Sequence, residues 1–182
     1  DRKDLDKFVQ FVASPYFNQH EPTRKLLLLI IKEKSRKKPR LQKEFIFSKL
    51  YPNSVYDEQK LYNIMSNLKK LLNRFLAQLQ FEMTPLQEEL HTVTWAYDKN
   101  HFSFFTNRAR HLGKQLEKAP YKNQDYYYSN YRLNSMMGYY RVQYIDRSKS
   151  NELQSMLDYL DKYYILEKLR NSCHLAANRM LM

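Results

Sequence analysis

The sequence predicts an all-α protein, an N-terminal helical bundle followed by antiparallel helical hairpins. Three observations carry that expectation. Glycine occurs only twice in 182 residues, at Gly113 and Gly138, and tight β-hairpins need glycine where φ turns positive. The six prolines, Pro15, Pro22, Pro39, Pro52, Pro85 and Pro120, leave room for helices between them, and proline lacks the amide hydrogen a helix interior needs. Between those marks apolar residues recur at steps of three and four, the period of one helix face.

Leu5, Phe8, Val9 and Val12 form the stripe of a first helix, ended by SPYFNQHEP. A second covers Thr23 to Lys34; its run Leu26-Leu27-Leu28-Leu29-Ile30-Ile31 is apolar most of the way round, which predicts a central position. The basic connector KEKSRKKPR follows, then a third helix from Leu41 to Leu50 with Phe45, Ile46 and Leu50 inward. The fourth is the clearest. Asp57 is its expected N-cap, and Leu61, Met65, Leu68, Leu72, Phe75 and Leu79 alternate steps of four and three, widened by Ile64, Leu71 and Leu76. So broad a stripe points to packing inside its own domain rather than to a coiled coil.

Thr84-Pro85-Leu86-Gln87 reads as a helix start, with Thr as cap, Pro in the first turn and Gln three residues after the cap. The architectural boundary is placed there, giving an N-terminal bundle over 1–83 and helical hairpins over 84–182. Leu86, Leu90, Val93 and Tyr97 share one face, a turn falls at DKN, and Phe105, Ala109, Leu112 and Leu116 share the next. Two such helices joined by a short turn form a helical hairpin. A tyrosine-rich helix follows Pro120, then a break at RSKS. A further pair is read from Leu153, Met156, Leu157 and Leu160, then Leu166, Leu169, Cys173, Ala176 and Met180. The apolar, uncapped end Met180-Leu181-Met182 is read as a truncated C-terminus, with another helix expected beyond it.

The segment LDKFVQFVASPYFNQHE, with KLYNIMSNLKKLLNRFL downstream and the YYY-containing helix after it, resembles a group of uncharacterised bacterial all-helical proteins with an SPYFN-type N-terminal segment. The second part of these proteins is similar to a degenerate tetratricopeptide-type (TPR-like) array, although the W-x-x-L-G-x-x-Y pattern is absent here. The resemblance implies a repeat-like helical scaffold. It carries over no activity and no site residues.

The stretch NQDYYYSNYRLNSMMGYYRVQY sets seven tyrosines in a chain of net charge +12. On a wheel at about 100° per residue, Tyr126, Leu133, Met137, Tyr140 and Tyr144 gather on one side. Tyr128, Tyr131, Tyr139 and Val142 gather on the other. A helix apolar on opposite sides has neighbours on both, and Ser135 and Gly138 would allow close approach on the second. The competing reading makes Tyr128, Tyr131 and Tyr139 a recognition surface for a protein or for bases.

KEKSRKKPR holds six positive charges and one negative. Lys32, Lys34, Arg36, Lys37, Lys38 and Arg40, extended by Lys43, are therefore candidate contacts for a partner or a polyanion, with salt-sensitive binding. The bland alternative is a solvated connector. Dividing the chain at its midpoint gives +6 on each side, so the total charge alone identifies no binding half.

Chemistry finds little footing. Two isolated glycines cannot write a dinucleotide fingerprint or a phosphate-cradling loop. The five histidines include no i, i+4 pair, and a lone Cys173 allows neither an internal disulfide nor a cysteine-rich zinc quartet. Cys173 itself falls on an apolar stripe and is expected in the core. The longest apolar run, six residues, is far short of the roughly 20 of a membrane helix. The reading is a non-catalytic, cytoplasmic interaction module without cofactor or metal, whose partner is a protein or further domains of its own chain. The alternative is a nucleic-acid-binding regulator acting through residues 32–43.

Overall fold

The computed structural model describes residues 2–145 and 151–180. They form eight helices and, among the described residues, no strand: α1 (Arg2–Ala13), α2 (Glu21–Lys34), α3 (Lys43–Leu50), α4 (Glu58–Glu82), α5 (Pro85–Asp98), α6 (Phe102–Glu117), α7 (Gln124–Tyr144) and α8 (Asn151–Met180). The all-helical expectation holds. The chain divides into two compact units, Asp1–Gln80 and Phe81–Met182.

In the first unit α2 serves two apolar clusters at once. Leu27 packs with Phe8, Phe11 and Val12 of α1 and with Leu71 and Phe75 of α4. Leu26 packs with Ile46 and Phe47 of α3 and with Leu61 and Ile64 of α4. That double duty is why its apolar run goes most of the way round. The bend between α1 and α2 is made without glycine: the Asn18 side-chain amide donates to the Val12 carbonyl at 2.9 Å, and the His20 amide donates to Asn18 Oδ1 at 3.0 Å. The Phe17 ring stacks on Phe11 at 4.0 Å, anchoring the loop to the core.

α4 begins as expected, with Asp57 Oδ1 accepting from the Lys60 amide at 2.9 Å. Its buried face differs from the expected seam. Leu61, Ile64, Leu71 and Phe75 are buried, whereas Met65, Leu72 and Leu76 are exposed. A stripe wider than the available neighbours leaves one edge uncovered, and periodicity cannot say which edge. α3 departs in the same way: Phe47, 1% exposed, fills the core, while Phe45 lies half-buried within 6 Å of both the Arg40 guanidinium and the Lys49 ammonium.

In the second unit α5 and α6 pair through Leu90, Val93, Ala96, Phe105, Ala109, Leu112 and Leu116. The α5–α6 turn places Asn100 at φ 58°, a left-handed conformation that asparagine tolerates best after glycine. Thr84 does not cap α5 through its side chain; its hydroxyl donates back to the Phe81 carbonyl at 2.9 Å.

α7 starts on a true cap, Asn123 Oδ1 accepting from the Tyr126 amide at 3.0 Å. One side of α7 joins the α5–α6 core through Leu133 and Met136, and Tyr140 meets Phe105 edge-on at 5.4 Å. The other side receives α8. A Cβ placed on Gly138 would lie 2.7 Å from Leu153 Cδ2, so this glycine is what allows the two helices to approach. The expected two-sided packing of α7 is present.

Two expectations fail at the C-terminal end. The further pair of helices is one helix, Asn151–Met180, because no glycine or proline interrupts it. Cys173 is exposed, not in the core, since no described element covers that face. RSKS, the Met180 side chain, Leu181 and Met182 lie outside the described residues.

Candidate functional site

α8 carries the surface that most needs an explanation. Its first half packs on α7: Tyr163 lies 5.5 Å from Tyr128, and Tyr159 packs at the edge of the core cluster. At Arg170 the guanidinium still reaches Gln124 Oε1, 2.9 Å away, at the first residue of α7. Beyond that point α7 has ended, and every described side chain from 168 to 179 is exposed. Tyr164, Ile165, Leu166, Leu169 and Leu175 are all among the exposed large apolar side chains, Leu169 at 58%. The period seen in the sequence is real. What is absent, among the described residues, is the neighbour it was expected to face.

The candidate tyrosines separate. Tyr128 and Tyr131 are half-buried with ring centres 6.3 Å apart, and Tyr128 also meets Tyr163 of α8. Tyr139 alone stands out, 52% exposed. The hydroxyl of Tyr159 sits among Tyr126 and Tyr127, and burial, electrostatic repulsion from Tyr126 and a hydrogen bond with it hold Tyr159 above the ordinary tyrosine range. Trp95, half exposed, stacks on His101 at 5.4 Å beside an open concavity that Phe104 also lines.

The basic segment is less uniformly basic than its letters. Glu33, in its midst, is 2% exposed; its carboxylate pairs with the Arg36 guanidinium at 3.0 Å and accepts from the Arg40 amide at 3.4 Å. Lys43 bonds Glu58 at 2.6 Å, and that bond, with the charge of Glu58, raises the lysine above its ordinary value. Lys32, Lys34, Lys37, Lys38 and Arg40 are exposed. Placing the division at Gln80 also redistributes the charge. Residues 1–80 hold 17 Lys and Arg against 8 Asp and Glu, a net +9, and the remainder is only +3.

Sequence spacing missed one buried polar cluster. Glu89 of α5 is buried, bonded to Arg108 of α6, with His111 Nδ1 3.6 Å from its other oxygen. Positions 108 and 111 share a helix face, but which carboxylate meets them is decided by how α5 docks. Among the described residues no three His, Cys, Asp or Glu side chains gather as a metal-binding group. No helix there is long and apolar enough to cross a membrane. The chain matches no family model, no curated protein and no solved structure.

Proposed function

We propose that the protein is a non-catalytic interaction module in which α5–α8 form a degenerate, TPR-like pair of helical hairpins, and that α8 engages a helix of a protein partner or of a further domain of the same chain. The exposed apolar face of α8 carries this reading. A segment of about ten residues is marginal as an isolated helix in water, and apolar faces on helices are ordinarily covered. The half-exposed Trp95 and Tyr139 add aromatic contact area of the kind enriched where proteins meet. The resemblance to the SPYFN-type bacterial proteins supports the same repeat-like scaffold.

Cys173 is a ready handle. A photo-crosslinker attached to that exposed thiol should capture a defined partner, and Ile165→Asp with Leu169→Asp should abolish capture while leaving the thermal midpoint unchanged. Equal capture by the double variant would remove α8 from the reading. A second reading, nucleic-acid binding through Lys34, Lys37, Lys38 and Arg40, is supported by the net +9 of residues 1–80. Lys37→Ala with Lys38→Ala would weaken oligonucleotide binding and its salt dependence if that reading holds.

A further inference from the structure

We infer that the loop between α1 and α2, together with the face of α4 opposite it, binds the phosphate backbone of single-stranded nucleic acid, with Tyr16 stacking on a base. The open cleft there has a volume of about 540 Å³. His20 and Gln19 line it from the loop, and Asn67, Lys70 and Arg74 line it from α4. All five side chains offer hydrogen-bond donors, and no carboxylate lines the cleft. α4 contributes none nearby, having no Asp or Glu between Glu58 and Glu82.

The donors are held in place. Phe17 is stacked on Phe11 of the core, and the Arg74 guanidinium lies 5.4 Å from the Phe17 ring centre, which fixes that cation over the cleft floor. The His20 ring is tied through Nδ1 to the buried Thr23 hydroxyl at 2.8 Å, leaving Nε2 for a ligand. Tyr16 meets Phe17 in a T-shaped contact at 4.9 Å and is still 85% exposed, so most of its ring is open to solvent. An aromatic face beside fixed cations in an open groove suits a single strand, whose bases are free to stack. Duplex bases are not. The net +9 of residues 1–80 supplies the long-range attraction. Glu21, exposed in the first turn of α2, offsets that helix's positive end, so the site rests on its side chains.

The test uses the whole chain and a short fluorescein-labelled oligouridine or oligothymidine, read by anisotropy at several salt concentrations. Lys70→Ala with Arg74→Ala should weaken binding at least about ten-fold and flatten the log–log salt slope by about 1.4, two phosphate contacts' worth. Tyr16→Ala should weaken it about ten-fold with the slope unchanged. Lys70→Arg with Arg74→Lys should retain the slope, which separates charge from folding. The inference is overturned by no binding at low salt, by equal affinity of the wild-type and cleft variants, or by a duplex binding as tightly as the single strand. Loss confined to Lys37→Ala with Lys38→Ala would also overturn it, while sustaining the connector reading.

Discussion

Glu33 and Glu89 show how single carboxylates are admitted to a helical interior. Each is buried and each meets an arginine, Glu33 the Arg36 of the connector just beyond its own helix and Glu89 the Arg108 of the neighbouring helix. Removing one partner of such a pair strands the other. Glu89→Ala is therefore expected to lower unfolding stability by about 2 kcal/mol, short of a fully buried pair because Arg108 is partly in solvent; urea unfolding measures it. Tyr159 gives the pH counterpart. Its neutral form is favoured in the fold, so it ionises above the ordinary value of about 10. The unfolded chain ionises first, and the contribution is present below that pH and lost as pH rises through it. An absorbance titration should show late-ionising tyrosines, Tyr159 together with Tyr56 and Tyr97, with the late fraction one tyrosine smaller in Tyr159→Phe.

At the level of elements, the α7–α8 contact turns on Gly138. A leucine there would drive its side chain into Leu153, whose Cγ already stands 3.0 Å from the position of a Cβ. Overpacking of this kind costs roughly 1–3 kcal/mol. Gly138→Leu should loosen α8 along its length, seen as faster amide exchange in residues 151–167. The distal part, 171–179, should exchange early even in the wild type, because no described neighbour protects it. Slowing of those amides on binding a partner would mark α8 as the docking element.

For the whole molecule, two compact units predict that unfolding need not be a single transition. The single tryptophan, Trp95, lies in the second unit, so its fluorescence reports that unit alone, whereas far-ultraviolet circular dichroism follows every helix. The two denaturation curves are expected not to coincide. Coincident curves would show that the units unfold together.

Taken alone, the amino-acid sequence determined the helical class, the cap at Asp57, the central place of α2 and the two-sided packing of α7, because each follows from local spacing, turn chemistry or the scarcity of glycine. It also showed the periodic apolar face of α8. Only the tertiary structure decided that this face is uncovered, that Cys173 is exposed, that Phe47 rather than Phe45 fills the core, and that Glu89 meets Arg108. Periodicity records which residues share a side of a helix. Whether anything packs against that side depends on contacts far apart in the chain, and those are set only when the helices dock.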